Sequence, residues 1–219
     1  MQDISQLFPQ SSIFAASFGR GESLDDVEMF AKTHDATLVR MQQEHTANFK
    51  VVESTAQTLV QNTDALITSK RNILLAIKAA DCLPILLSHP SGIVGAIHAG
   101  RVGTNKQITK QTLQLLKDRF GILENLTVWF GPRICADCYQ VDKKTDEHFD
   151  LVSENLKQVQ GVYTDSQTKI IVSEHCAAHH NSQWYSYRTE GKWVPMNWFV
   201  IGSLLVSDKK AEPCDPAFY

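Results

Sequence analysis

The chain has 219 residues, 43% of them hydrophobic, and a formal net charge of −3. That is enough apolar material for one large core, and no Pro/Gly/Ser-rich or charged linker divides it, so a single domain over 1–219 is expected. The charge balance excludes the global basic field that recruits nucleic acid or an anionic membrane, and no apolar run approaches the roughly 20 residues that span a bilayer.

The first ten residues, MQDISQLFPQ, carry neither the basic nor the apolar region of a secretory signal. A cytoplasmic protein is expected, and its five cysteines are read as reduced thiols rather than a disulfide framework. The simplest role for most of them is as small buried hydrophobes.

Residues 12–18 read as a first strand. Ser23 followed by Leu-Asp-Asp predicts a helix N-cap with acids in the first turn, opening a helix to about His34. Short β-rich runs follow at 36–41 and 49–53, then an extended piece at 64–68. The apolar runs 73–87 and 93–98 flank His89-Pro90-Ser91-Gly92 and predict a β-hairpin buried on much of both faces. Pro84 lies in the first run, which should be bent, bulged or at an edge there. Ile108, Thr112, Leu115, Leu116 and Phe120 stand at helical spacing over 105–120, with Gly121 placed to end the helix. A strand at 126–130, a helix over 144–156 and strands at 169–173, 183–188 and 196–201 complete the pattern. The mix predicts an α+β fold with helices covering the outer faces of mixed sheets.

Chemistry concentrates on the hairpin. A three-residue loop centred on Pro90 puts Cys82 opposite His98, with Cβ atoms about 4.5–5.5 Å apart. A two-residue loop puts Cys82 opposite Ala99 and sends the two side chains to opposite faces, unless a bulge near Pro84 restores them. A thiolate and an imidazole face to face can share Zn²⁺, or the imidazole can activate the thiolate as a nucleophile. A buried cysteine beside a strand-end histidine is the structural alternative. Asp81 is placed to orient a ligand histidine from behind, or to be a solvated strand-end residue. His45, in a polar loop after a strand, is by spacing alone a surface histidine.

Several blocks carry a resemblance. These are Gln42-Gln43-Glu44-His45, Asp64-Ala65-Leu66-Ile67-Thr68, Ala80-Asp81-Cys82-Leu83-Pro84 with His98-Ala99-Gly100, Gly131-Pro132 through Cys138-Tyr139-Gln140-Val141, and Tyr185-Ser186-Tyr187-Arg188. In order and content they resemble the bacterial laccase-domain proteins, described first as multicopper polyphenol oxidoreductase-like and later as zinc-dependent purine nucleoside phosphorylases. The pairing of ADCLP with HAG at this distance is the specific part. The resemblance implies a four-layer α/β/β/α fold and a catalytic metal centre of His45, Cys82 and His98 with an open fourth position.

It further implies zinc as cofactor, with copper as the alternative, and a nucleoside (adenosine, inosine, guanosine or methylthioadenosine) with phosphate as small-molecule partners. Neither nucleic acid nor membrane is expected as a partner, and the chain is expected to be a monomer or weak homo-oligomer. The family's His-Ala-Gly-Trp-Arg-Gly reads here as His98-Ala99-Gly100-Arg101-Val102-Gly103, so the arginine is displaced by one position. Candidates for binding substrate or phosphate are therefore Asp81, Arg101, Arg133, Cys138 and Arg188, and at least one of the three arginines should approach the pocket.

Three readings of function follow. They are phosphorolysis of purine nucleosides with adenosine deamination beside it, copper-dependent oxidation of phenols, and a metal-binding relic without activity. A rival metal set exists in Cys135-Ala136-Asp137-Cys138 with Cys176-Ala177-Ala178-His179, which could complete a Cys₃His tetrahedron. The stretch lacks the Gly- and basic-rich knuckles of a zinc ribbon, and the resemblance assigns Cys138 to the pocket instead.

Overall fold

A computed structural model of the chain describes residues 1–164 and 166–205. Cys214, the fifth cysteine, lies outside the described residues. In chain order the strands are β1 (Gln2–Asp3), β2 (Ile13–Phe18), β3 (Thr37–Met41), β4 (Phe49–Val51), β5 (Leu59–Val60), β6 (Ala65–Thr68) and β7 (Ile73–Ala79). They continue as β8 (Leu83–Ser88), β9 (Val94–Ala99), β10 (Thr127–Phe130), β11 (Gln140–Asp142), β12 (Glu147–His148), β13 (Lys169–Val172) and β14 (Asn197–Ser203). The α-helices are α1 (Leu24–Thr33), α2 (Arg101–Asn105), α3 (Ile108–Phe120), α4 (Leu151–Gln160) and α5 (Tyr187–Glu190).

Two mixed six-stranded sheets result, ordered β1-β2-β14-β7-β3-β5 and β13-β10-β8-β9-β6-β4. Their facing sides share one core: Ile13, Ala15, Val39, Leu75, Ile77, Phe199 and Ile201 of the first sheet pack with Leu66, Leu86, Val94, Ala96 and Trp129 of the second. On the outside, Phe18, Ala76 and Val200 cover α1 through Val27, while Ile85, Leu87 and Ile97 cover α3 and α4 through Leu113, Leu116, Leu151 and Val159. This is the expected α/β/β/α order, and period-2 alternation along each inner strand feeds two apolar layers at once.

Local chemistry sets the element ends. Ser23 and Asp26 form a reciprocal capping box on α1, and Gly121 ends α3 in the left-handed region at φ 65°. Three predicted elements differ. The run 73–87 is two strands in different sheets, because Asp81 takes φ 90° and turns the chain out of β7 into β8. Pro84 then sits in an interior strand without a bulge; it is tolerated because it faces the end of β10, where its carbonyl still accepts the Gly131 N–H at 2.9 Å and only its own donor is missing.

The helix expected over 144–156 begins only at Leu151, where Asp150 caps it; the residues before it turn through Asp146 (φ 55°) between β11 and β12. The strand expected at 183–188 is a turn leading into α5. No ladder forms at Tyr185, whose backbone N–H and C=O are both taken by the Asn197 side chain.

Candidate metal centre and its pocket

The β8–β9 hairpin closes through a three-residue loop, Pro90 to Gly92, with Gly92 at φ 87° and His89 N–H bonded to the Ile93 carbonyl at 2.9 Å. The loop length is as expected but its centre is Ser91, one residue later than the sequence reading placed it. Pro84 is therefore paired with His98, and Cys82 lies just before the strand, diagonal to His98. A shift of this parity keeps both side chains on one face, so they still converge.

His45 arrives from the loop after β3. The donor atoms of His45, Cys82 and His98 lie within 4.8 Å of one another, with Cys82 Sγ 3.7 Å from His45 Nε2. The two rings meet edge to face, with centroids 4.9 Å apart.

Asp64 holds this arrangement. Its buried carboxylate accepts the His98 Nδ1–H at 2.8 Å, leaving His98 Nε2 for the centre. It also accepts the backbone N–H of His45 at 3.1 Å, and both the N–H and the hydroxyl of Thr46 at 2.7 Å. Those bonds hold His45 in the left-handed region, at φ 56°. Gly100 leaves room for the donors: a Cβ there would stand 2.9 Å from both Cys82 Sγ and His45 Cδ2.

Burial alone would push the Cys82 thiol up, but the charge of His98 and hydrogen bonds from both imidazoles outweigh it and hold the thiol at about 6. His98, which burial alone would lower, is raised to about 9 by the Cys82 thiolate and Asp64. Asp64 itself falls to about 2, because bonds from His98 and Thr46 exceed its own burial cost. The metal-free trio is thus a thiolate–imidazolium pair backed by a carboxylate. Binding of a cation at this site would displace the His98 proton.

The trio lines a cavity of about 530 Å³, within the range of small-ligand sites, whose wall also includes Gln43, Lys78, Asp81, Tyr139, Tyr187, Arg188 and Lys192. Arg188 reaches it as expected: its guanidinium lies over the Tyr139 ring at 5.6 Å and donates to the Gln140 carbonyl at 2.9 Å. Asp81 also lines it, but Asp64, not Asp81, orients His98. Asp81 accepts the Arg188 backbone N–H at 2.6 Å and has the Ser186 side chain beside its carboxylate. Burial pushes its carboxyl up.

Arg101 opens α2 as an exposed residue beside the Tyr139 hydroxyl, which burial and the Cys82 charge push up despite it, and is not part of the lining. Arg133 points elsewhere, its guanidinium donating to the Ser173 carbonyl. Cys138 is turned away too: its sulfur lies 3.2 Å from His179 Nε2, and the residue after it, Tyr139, takes the place on the wall. Sequence reading gave no role to Asp64, Tyr139, Tyr187, Lys78 or Lys192. For Asp64 the available signal was the Asp64–Thr68 block that carries the family resemblance.

A family model described as multi-copper polyphenol oxidoreductase laccase matches residues 23–199. A purine nucleoside phosphorylase of Deinococcus radiodurans is 30% identical over 158 residues, covering 64% of this chain and 60% of that protein. Adenosine deaminase RL5, from an unknown prokaryotic organism, is 29% identical over 141 residues, 64% of this chain and 52% of that protein. The chain thus spans less than two thirds of the length of these curated relatives. In fold, YlmD from Geobacillus stearothermophilus matches with a TM-score of 0.79 at 23% identity, over 90% of this chain and 94% of that one. YfiH of Bacillus licheniformis matches with a TM-score of 0.74 at 21% identity, over 87% and 92%.

Proposed function

The chain belongs to the multi-copper polyphenol oxidoreductase laccase family, and from its pocket we propose that it is a zinc-dependent purine nucleoside phosphorylase, with adenosine deamination as a second reaction of the same site. The observation that carries this reading is the convergence of two imidazoles and one thiolate on the wall of a cleft that also presents Arg188, Lys78 and Lys192. The same chemistry in two relatives' names, purine nucleoside phosphorylase and adenosine deaminase, supports it.

The donor set fits zinc: a soft thiolate and two neutral imidazoles are its preferred ligands, and three protein donors are the pattern of its catalytic sites. His45, Cys82 and His98 would hold the ion, which would supply Lewis acidity to the bound reactants. Tyr139 and Tyr187 offer aromatic faces for a purine. Arg188, with Lys78 and Lys192, offers the positive charge that phosphate requires.

In phosphorolysis the bond from pentose C1′ to purine N9 breaks, a phosphate oxygen bonds C1′, and the base leaves with the electron pair and takes up a proton. Asp81 is the group suited to hold that proton. Burial raises its carboxyl, despite the Ser186 side chain and the Arg188 N–H that lower it, and the residue lines the cavity. Copper oxidation of phenols asks for several coppers on grouped histidines. Among the described residues, metal-donor groups number two, and each is small.

The test follows base release from adenosine and inosine by the full chain, with and without phosphate, alongside metal analysis of the same preparation. Free base and pentose 1-phosphate should appear together, only with phosphate, and ammonia should appear from adenosine. Zinc-replete protein that turns over neither nucleoside would refute the reading.

A further inference from the structure

The loops that follow β10 and β13 carry four donors that the reaction above does not use. Cys135, Cys138, Cys176 and His179 present ligand atoms within 4.8 Å of one another. We propose that these four side chains bind a structural zinc ion as a Cys₃His site, separate from the His45–Cys82–His98 centre.

β10 and β13 are parallel neighbours, with Phe130 beside Val172, so the loops leaving them start side by side. The pairing continues past the strands as a bridge between Arg133 and Cys176, and the Ala177 N–H donates to the Arg133 carbonyl at 2.8 Å. Each loop then delivers two donors spaced as C-x₂-C and C-x₂-H, the short spacing of structural zinc ligands. Strand adjacency supplies the closure that Gly-rich knuckles supply in a zinc ribbon.

The His179 ring stands between two thiols, with Nε2 3.2 Å from Cys138 Sγ and Nδ1 3.8 Å from Cys135 Sγ. The third sulfur, of buried Cys176, accepts the Cys135 N–H at 3.2 Å. The described cysteines form no disulfide, and one formed here would leave a third thiol and the imidazole without a partner. An edge of a tetrahedron with Zn–S near 2.3 Å is about 3.8 Å, so small side-chain rotations suffice to close these donors on an ion.

Charge supports the assignment. Three thiolates and a neutral imidazole around a dication leave one net negative charge. Arg133 lies half-buried with Cys176, Asp150 and Cys135 around it; its guanidinium donates to the Ser173 carbonyl, and its Nε is buried without a partner. Four protein donors complete the tetrahedron and leave no place for a substrate, which makes the site structural. It would pin the segment 131–139, whose last residue, Tyr139, stands on the pocket wall.

Zinc content and X-ray absorption of the full chain test this without reference to nucleoside turnover. Wild type should hold two zinc ions per chain with an average of about two sulfurs per zinc, the mean of a three-sulfur and a one-sulfur site. The C135S/C176S variant should retain one ion and lose the three-sulfur signal, and C82S should lose the other ion. The absorption measurement on wild type decides the matter should the double variant fail to fold. One zinc per chain with a single sulfur, or two ions that both survive C135S/C176S, would overturn the proposal. One zinc with three sulfurs would uphold it and count instead against the pocket centre.

Discussion

His45, Cys82 and His98 come from three separate backbone segments with a buried carboxylate behind them. Cys135, Cys138, Cys176 and His179 come as two turn-borne pairs with a guanidinium beside them. One thiolate leaves a bound dication with net positive charge and an open side. Three thiolates overcompensate it and close it off. The supporting charges follow suit: Asp64 keeps His98 oriented and basic, whereas Arg133 balances excess sulfur. On the proposed reading, residues of the same two types acquire opposite uses, a reactive centre in a cleft and a clip between loops. What differs is how many donors converge and what lies behind them.

The largest expected effect is on turnover. Stripping all metal with a strong chelator should lower phosphorolysis at least about a hundredfold, since a catalytic ion contributes several kcal/mol to the barrier. Adding zinc back should restore it. Undiminished turnover by metal-free protein would erase the functional difference between the two groups. Next comes Asp64→Asn, which keeps size but removes the charge behind His98 and His45. Zinc affinity at the pocket centre, read by chelator competition, should fall about 10–100-fold while the four-donor group keeps its ion. Equal loss at both would show that Asp64 acts on the whole fold.

A smaller effect is expected from Gly100→Ala, whose Cβ would press on Cys82 Sγ and His45 Cδ2 at 2.9 Å. Denaturant unfolding should show a loss of about 1–3 kcal/mol, with weaker zinc binding alongside. Unchanged affinity would mean that the loop carrying His45 yields easily.

The gentlest test is chemical. In metal-free protein the Cys82 thiol is held at about 6, so its reactive thiolate forms as pH rises through that value. Burial first, and then the neighbouring thiols, push Cys138 up to about 12. Alkylation at neutral pH followed by peptide mapping should modify Cys82 and spare Cys138. The reverse order would contradict the electrostatic contrast.

Much of this was legible in the sequence where physics is local. The Ser23 cap, the α3 periodicity with Gly121, and the turn between the apolar runs of the β8–β9 hairpin mapped onto the elements they predicted. Cys82 and His98 were found from hairpin geometry although the loop was centred one residue early, because a register shift of that parity preserves the face. What failed was non-local.

The run 73–87 looked continuous because both of its halves are buried in different sheets, and only Asp81's left-handed conformation separates them. The strand expected around Tyr185 does not form, because an asparagine twelve positions on takes the backbone groups that a sheet would have paired. Asp64's role required knowing that β6 pairs with β9, and the four-donor group required knowing that β10 and β13 are parallel neighbours. Neither pairing leaves a mark on spacing. His45 could be singled out only through the family resemblance, since a histidine in a polar loop carries no period.

The most direct measurement of the central claim is Cys82→Ser, assayed for zinc content, phosphate-dependent nucleoside turnover and thermal midpoint in one preparation. A hard hydroxyl in place of a soft thiolate should cost the pocket its ion and the protein its turnover. The midpoint should stay close to wild type, because folding energy lies in the two apolar sheets. Turnover persisting after that ion is lost, or unfolding in its place, would contradict the assignment of His45, Cys82 and His98 as a catalytic centre.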